Sequence, residues 1–326
     1  MQSASGVDVR IKLVQTLAFS NQEERAEGIA ISSSGNMMAI ATADADTVLL
    51  YRRQSSGQFD TEPCATLRGP ESRLSYPHDV SFAPAAGGEL LAVAQRRGSI
   101  TIYNNDSVTG GFGPEPVFEI SGADSRLNFS DGVAFVPPLN DHLAACNLAL
   151  GTISFYRKRS DSPLAFDQHP RFELRQSLAD PDGLAFSPSG EWLAVANHGN
   201  HSVSIFQRRY RGALGDRVRF GSAPVAVIAD ASLLYPHSLA FNAANHLFVT
   251  NAGANFFSVF APTKLGEGMQ WSPLPGGQQD VGSESGFRAI NAANRMEGGP
   301  KGIAIHGDTL AVCSPQHGVL LYSLLL

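Results

Sequence analysis

Apolar and polar positions alternate with period two in short runs along this chain, and the runs recur. The clearest instance is Asp182 to Phe206, DGLAFSPSGEWLAVANHGNHSVSIF. Leu184 and Phe186 alternate with smaller neighbours, SPSG (187–190) makes a tight turn, and Trp192 to Ala196 is a second apolar run. Asn197 to His201 is a polar turn, and Val203 to Phe206 is a third run. Alternation of this kind, cut by Gly, Pro, Asn and Ser, predicts antiparallel strands. One such meander leaves an apolar face bare and does not fold alone.

Five further copies complete it. EGIAISSSGNMMAIATADADTVLLY starts at Glu27, HDVSFAPAAGGELLAVAQRRGSITIY at His78 and DGVAFVPPLNDHLAACNLALGTISFY at Asp131. HSLAFNAANHLFVTNAGANFFSVF starts at His237 and KGIAIHGDTLAVCSPQHGVLLY at Lys301. The offsets between successive starts are 51, 53, 51, 55 and 64 residues, and every copy ends on an aromatic residue. A repeat of that length built from short strands predicts one propeller blade per copy. The predicted fold class is all-β: a six-bladed β-propeller of four-stranded antiparallel blades, one domain over residues 1–326. The innermost strands begin near residues 28, 79, 132, 183, 238 and 302.

The segment Val9 to Phe19 reads as a strand without a partner in its own repeat, while the sixth repeat lacks an outer strand. The N-terminal strand is therefore expected to complete the last blade, which removes the open edge of a linear array. Residues 261–300 are a long excursion rich in Gly, Pro and Ser that carries Trp271 and Phe287. Both a lid over a rigid scaffold and a disordered loop fit that composition.

The net charge of −6 argues against a nucleic-acid partner. No run approaches a membrane span, so the expectation is a soluble, cytoplasmic protein without a membrane partner. Cys64, Cys146 and Cys313 are odd in number and widely spaced, which fits buried free thiols rather than a disulfide framework. The oligomeric state is not legible.

Two rings of equivalent positions carry the candidate chemistry. The first immediately precedes each innermost strand: Glu27, His78, Asp131, Asp182, His237 and Lys301. The second ends each second strand: Thr42, Gln95, Asn147, Asn197, Asn251 and Ser314. With six blades, positions three apart face each other, so His78 is set opposite His237, Glu27 opposite Asp182 and Asp131 opposite Lys301. Both histidines lie in a Tyr-Pro-His tripeptide. One reading is a solvated channel mouth. The other is a site where carboxylates and imidazoles converge on one point, and burial and like-charge proximity perturb their pKa values. Glu27, Asp182, His237 and His78 are a ligand set for a divalent metal such as zinc, manganese or iron, whereas calcium would prefer oxygens. Arg73 and Arg126 precede the ring by five residues and are candidates for holding an anionic substrate, or for bracing their loops. Tyr76 and Tyr235 are candidate walls, and Asn147, Asn197 and Asn251 candidate substrate contacts. His198, His201 and His317 read as exposed turn residues.

The repeats resemble those of the six-bladed propellers that group NHL-repeat proteins, the gluconolactonase/regucalcin family and the strictosidine-synthase-like proteins. DGLAFSPSGEWLAVANHGNHSVSIF is similar to their shared blade consensus. The lactonase branch implies one divalent ion on the axis, held by a Glu before the first blade's Gly, and Glu27-Gly28 matches that Glu. Asp182 stands where that branch has Asn and His237 where it has Asp.

Two functions follow as expectations. The first is a metal-dependent, lactonase-like hydrolase or lyase for a small polar substrate. Glu27, Asp182, His237 and His78 would hold the ion, Asp131 would act as base, and Lys301 or Arg73 would fix an anionic group, with His78 also placed among the catalytic residues. The second is a non-catalytic propeller binding a protein or peptide on its top face, because the architecture hosts both.

Overall fold

The computed structural model describes residues 9–19, 25–85, 88–106, 111–209, 218–266, 268–281 and 297–325. Six antiparallel sheets are arranged as the blades of a propeller. In the first blade the strands run Ala26–Ile31, Met37–Thr42, Thr47–Arg52 and Ala65–Leu67 from the axis outward. Blades three and four repeat this order, beginning with Ser130–Phe135 and Pro181–Phe186. The only helical turns among the described residues are single 3-10 turns.

The ring closes as the orphan strand required. Arg10–Leu17 pairs antiparallel with Gly318–Leu325 and forms the outer strand of blade six. Pairing both chain ends in one blade saturates the edge hydrogen bonds that would otherwise be exposed.

The apolar side chains divide into six clusters, each between two neighbouring blades. The second strand of each blade is sandwiched on both faces, which is why Met38 to Ala41, Leu143 to Cys146 and Leu193 to Ala196 are fully enclosed. These runs read as continuous apolar stretches rather than strict alternation. Each blade's terminal aromatic fills an inter-blade cluster, as Tyr103, Tyr156, Phe206 and Phe260 do.

The long excursion begins as part of blade five. Its third strand runs on from Phe256 to Leu265, turns, and returns as the fourth strand Gly268–Pro273. Trp271 is buried there at 5.2 Å from Trp192 of blade four, edge to face. The first part of the excursion is therefore packed structure, neither lid nor disorder. Phe287 lies outside the described residues. The cysteine expectation also needs correction: Cys146 and Cys313 are buried and free, but Cys64 is exposed.

Deleting residues 1–17 strips the outer strand of blade six and exposes Val319, Leu321 and their cluster. The expected result is loss of the cooperative thermal transition of the whole protein, measured by circular dichroism. A truncated protein that melts within a few degrees of the intact one would show that closure is not what holds the ring.

Candidate functional site

In five blades the pairing of first and second strands slips beside the first ring. The irregularities fall between Ala26 and Gly28, Pro77 and Asp79, Ser130 and Val133, Pro181 and Leu184, and Pro236 and Leu239. A bulge bends the strand and re-aims the extra residue. Here it turns Glu27, His78, Asp131, Asp182 and His237 onto the axis, with Lys301 beside them. All six are buried, none above 3% exposed, so the open, solvated mouth does not hold.

The histidines face one another with ring centroids 5.2 Å apart. Glu27 Oε2 lies between them, 3.8 Å from His78 Nε2 and 3.6 Å from His237 Nε2. Asp182 Oδ2 is 3.8 Å from the same His237 nitrogen. Lys301 Nζ stands 3.7 Å from Glu27 Oε2 and 3.3 Å from Glu297 Oε2. Three of these buried atoms have no hydrogen-bond partner: Glu27 Oε2, His78 Nε2 and His237 Nε2. Glu27, His78 and His237 each offer a ligand atom within 4.8 Å of the others. Glu27, His78, Asp131, Asp182 and His237 line a void of about 10 Å³, room for a single water or ion.

Asp131 is held differently. Arg96, from the turn after the second strand of blade two, grips it with Nε to Oδ1 at 2.7 Å and Nη2 to Oδ2 at 3.2 Å. His78 Nδ1 faces the Asp131 carbonyl oxygen at 3.2 Å, which leaves Nε2 pointing at Glu27.

Burial dominates the electrostatics. It pushes both axial imidazoles well below their ordinary range, reinforced by Arg96 and Lys301 at His78 and by Lys301 at His237, so both are neutral at physiological pH. It raises Asp131 to about 6 against the pull of Arg96. Asp182 is raised well above the usual carboxylate range by burial and then by Asp131. Asp79, one residue after His78, is pushed up to about 7 by enclosure although its Oδ2 accepts from Val133 N at 3.0 Å.

The second ring is occupied with the backbone. Ser75 N donates to Gln95 Oε1, Asn128 N to Asn147 Oδ1, Ala179 N to Asn197 Oδ1 and Leu234 N to Asn251 Oδ1. The amide nitrogens of Asn147, Asn197 and Asn251 donate to Ser154, Ser204 and Ser258, seven residues on in each case. These amides hold the approach loops of blades two to five. The next residue in each loop, Tyr76, Phe129, Asp180 or Tyr235, sits at positive φ with its carbonyl accepting from the turn after the second strand.

The structure places the remaining sequence candidates apart from the axis. Arg73 and Arg126 are exposed, pair with Glu119 and Glu173, and belong to the loop bracing. Tyr235 packs against His198 and His201. His201 Nδ1 accepts from Tyr235 N, which is structural. His198 corrects the expectation of an exposed turn: its side chain is 16% exposed, Nδ1 lies 3.6 Å from Asp182, and burial and Lys301 lower it to about 4.

Sequence reasoning missed four charged contributors. Arg96 follows a second-ring position; Arg25, whose Nε is 3.0 Å from Glu27 Oε1, and Asp79 flank the first ring; Glu297 lies in the excursion. The double arginine of QRRG (95–98) was the one visible signal.

Asp79 generates a pH prediction. A raised folded-state pKa gives stability that is complete below the unfolded value near 4 and is lost as pH rises through about 7. Asp79→Asn removes that loss. The variant's melting temperature is expected to exceed the wild type's by a margin that grows from pH 5 to 7.5 and is flat above. A margin independent of pH in thermal melts would contradict this.

Neither a protein-family model nor a curated protein sequence matches the chain. Solved structures do resemble it. The β-propeller domain of Myceliophteria thermophila Cps50 (Swd1) aligns at TM-score 0.59 and 12% identity, covering 96% of this chain and 99% of that one. A Bacteroides uniformis protein provisionally named 6-phosphogluconolactonase aligns at TM-score 0.60 and 14% identity, over 95% and 83%. A Desulfotomaculum acetoxidans protein of unknown function aligns at TM-score 0.54 and 14% identity, over 97% and 95%. At such identities the likeness extends to the fold alone.

Proposed function

We propose that the chain is a metal-dependent, lactonase-like hydrolase of the gluconolactonase/regucalcin kind of propeller, acting on a small polar substrate. The observation that carries the reading is the convergence of three buried, unpartnered ligand atoms, Glu27 Oε2, His78 Nε2 and His237 Nε2, on an ion-sized void. A buried polar atom without a partner costs about 1–3 kcal/mol, and three at one point call for a shared occupant.

The donor set fits a divalent cation. Two neutral imidazoles with one carboxylate are the zinc-type hydrolytic set, and Asp182 Oδ2 is the nearest further oxygen, so zinc, manganese or iron is favoured over calcium. Charge agrees. The carboxylates around the axis (Glu27, Asp79, Asp131, Asp182, Glu297) outnumber the cations (Arg96, Lys301 and Arg25, which is shared with the outer Asp44). Protons on the carboxylates or a divalent ion offset that excess. Such an ion supplies Lewis acidity and a water of lowered pKa.

The protein's own groups set the rest. Arg96 fixes Asp131, so the base role expected of Asp131 is better filled by Asp182, which burial raises well above the usual carboxylate range and so makes the more basic carboxylate. Lys301, held between Glu27 and Glu297, is the cation nearest the donor atoms and the candidate to meet an anionic group there. The imidazoles stay neutral below the ordinary histidine range, so loss of the site on acidification is expected below pH 6 rather than between 6 and 7.

A second reading is a non-catalytic propeller that binds a peptide or protein on its top face. It rests on Phe129, Leu150 and Leu234, exposed there at 49%, 44% and 38%.

Metal content separates the two. Elemental analysis of protein dialysed against zinc or manganese is expected to give about one ion per chain, with turnover of lactones in a substrate panel. His237→Ala is expected to lower both to background and leave the melting temperature of the EDTA-treated protein nearly unchanged, because neither ring nitrogen has a partner to orphan. A wild-type protein that holds no stoichiometric metal would overturn the hydrolase reading. Stoichiometric metal without turnover would favour the second.

A further inference from the structure

Beyond the axis, the top face holds a cavity of about 480 Å³ between blades two and three. Tyr76, Arg96, Arg97, Leu127, Asn128 and Phe129 line it. The volume suits a small-molecule ligand. No carboxylate is among its lining residues.

Its charge is unbalanced. Arg96 is matched by Asp131, but the Arg97 side chain makes no ion pair or hydrogen bond with a described residue. The Arg97 backbone is preorganised. The turn is tied by Gly98 N donating to the Gln95 carbonyl at 3.0 Å, and Gly98 takes φ 86 against Leu127, where a β-carbon would come within 3.0 Å of that residue's carbonyl oxygen. The guanidinium of Arg96 sits 5.6 Å from the Tyr76 ring centroid.

The apolar wall is held with equal care. Tyr76 and Phe129 have φ of 56 and 49, a conformation rare for aromatic residues. Their carbonyls are pinned by Arg96 N and Leu148 N, and the preceding amides by Gln95 and Asn147. Phe129 nonetheless leaves 49% of its surface in water. The positive φ belongs to the loop conformation shared by blades two to five; what is particular here is an exposed aromatic residue lining the same cavity as a guanidinium without an ion pair to a described residue, an arrangement a ligand would complete.

We propose that this cavity binds a small organic anion with a flat apolar body, the arylcarboxylate class, with the carboxylate on Arg97 and Arg96 and the body against Phe129 and Tyr76. Planar guanidinium groups match a carboxylate with paired hydrogen bonds, and aromatic faces accept a flat ring at little entropic cost. The site is separate from the axial ion and needs no metal.

Titration of the purified protein with 4-fluorobenzoate, followed by fluorine NMR, tests this. Saturable binding is expected, and it persists in EDTA. The neutral 4-fluorobenzamide is expected to bind at least five-fold more weakly, and so is 4-fluorobenzoate to Arg97→Gln. Phe129→Ala is expected to weaken 4-fluorobenzoate several-fold. Both changed side chains are exposed, so the variants are expected to fold, which their melting curves check. Absence of saturable binding, equal affinity for the amide, or full affinity in Arg97→Gln would overturn the proposal. Binding abolished by EDTA would place the anion on the axial ion and overturn it as well, while leaving the hydrolase reading intact.

Discussion

The steric limit at the axis governs this molecule. Six innermost strands meet there, and in four of them the residue after the first ring is glycine. A β-carbon on Gly132 would lie 2.7 Å from the Asp182 carbonyl oxygen, and one on Gly302 the same distance from that of Glu27. At Gly183 it would collide with the His237 carbonyl. The missing side chains let each strand rest on the backbone of the next blade's ring residue. That contact, with the bulge beside it, brings functional groups from six separate repeats within a few ångströms of one another. Blades two and five carry Asp79 and Ser238 at this position, and they are the blades that contribute the facing histidines.

Crowding ionisable groups into so small a volume has an electrostatic consequence. Taking a charge out of water is costly unless it is paired and hydrogen-bonded. The protein meets that cost unevenly. Asp131 receives a two-pronged arginine, Glu27 receives Arg25 and Lys301, and the two histidines remain neutral. Asp182 and Asp79 receive no comparable partner and, like Asp131 despite its arginine, shift toward the protonated form. Pairs of titratable groups whose environments push their pKa values apart are common at functional sites, though structural ion-pair networks perturb pKa values too.

The fold was legible because it is written six times. Blade number, closure by the N-terminal strand and the first ring all came from aligning the repeats, since equivalent sequence positions become equivalent positions about an axis. The burial of that ring was one of two readings left open, because polar residues at a channel mouth also read as solvated. The second ring misled for a related reason. Asn147, Asn197 and Asn251 look like a polar lining, yet their amides face the backbone of the approach loops. The serine seven residues after each asparagine was the available clue, because a donor placed regularly on the neighbouring strand marks a structural hydrogen bond. Arg96 and Glu297 escaped for the opposite reason: each occurs in a single blade, so no repeat pointed to it.

Single-blade residues are also where the symmetry of the site is broken. Asp131 and Lys301 oppose each other, but only Asp131 has an arginine laid across it, and that arginine also borders the top-face cavity. Arg96 therefore stands between two electrostatic environments. A charge brought to the cavity acts on the same guanidinium that holds Asp131, and through Asp131 on His78, whose Nδ1 faces that residue's carbonyl oxygen. Linkage makes the effect mutual: an anion in the cavity and an ion on the axis would change each other's affinity by the same factor. A six-fold ring of identical blades could not do this. The one blade boundary with a double arginine turn gives the axis a connection to the surface.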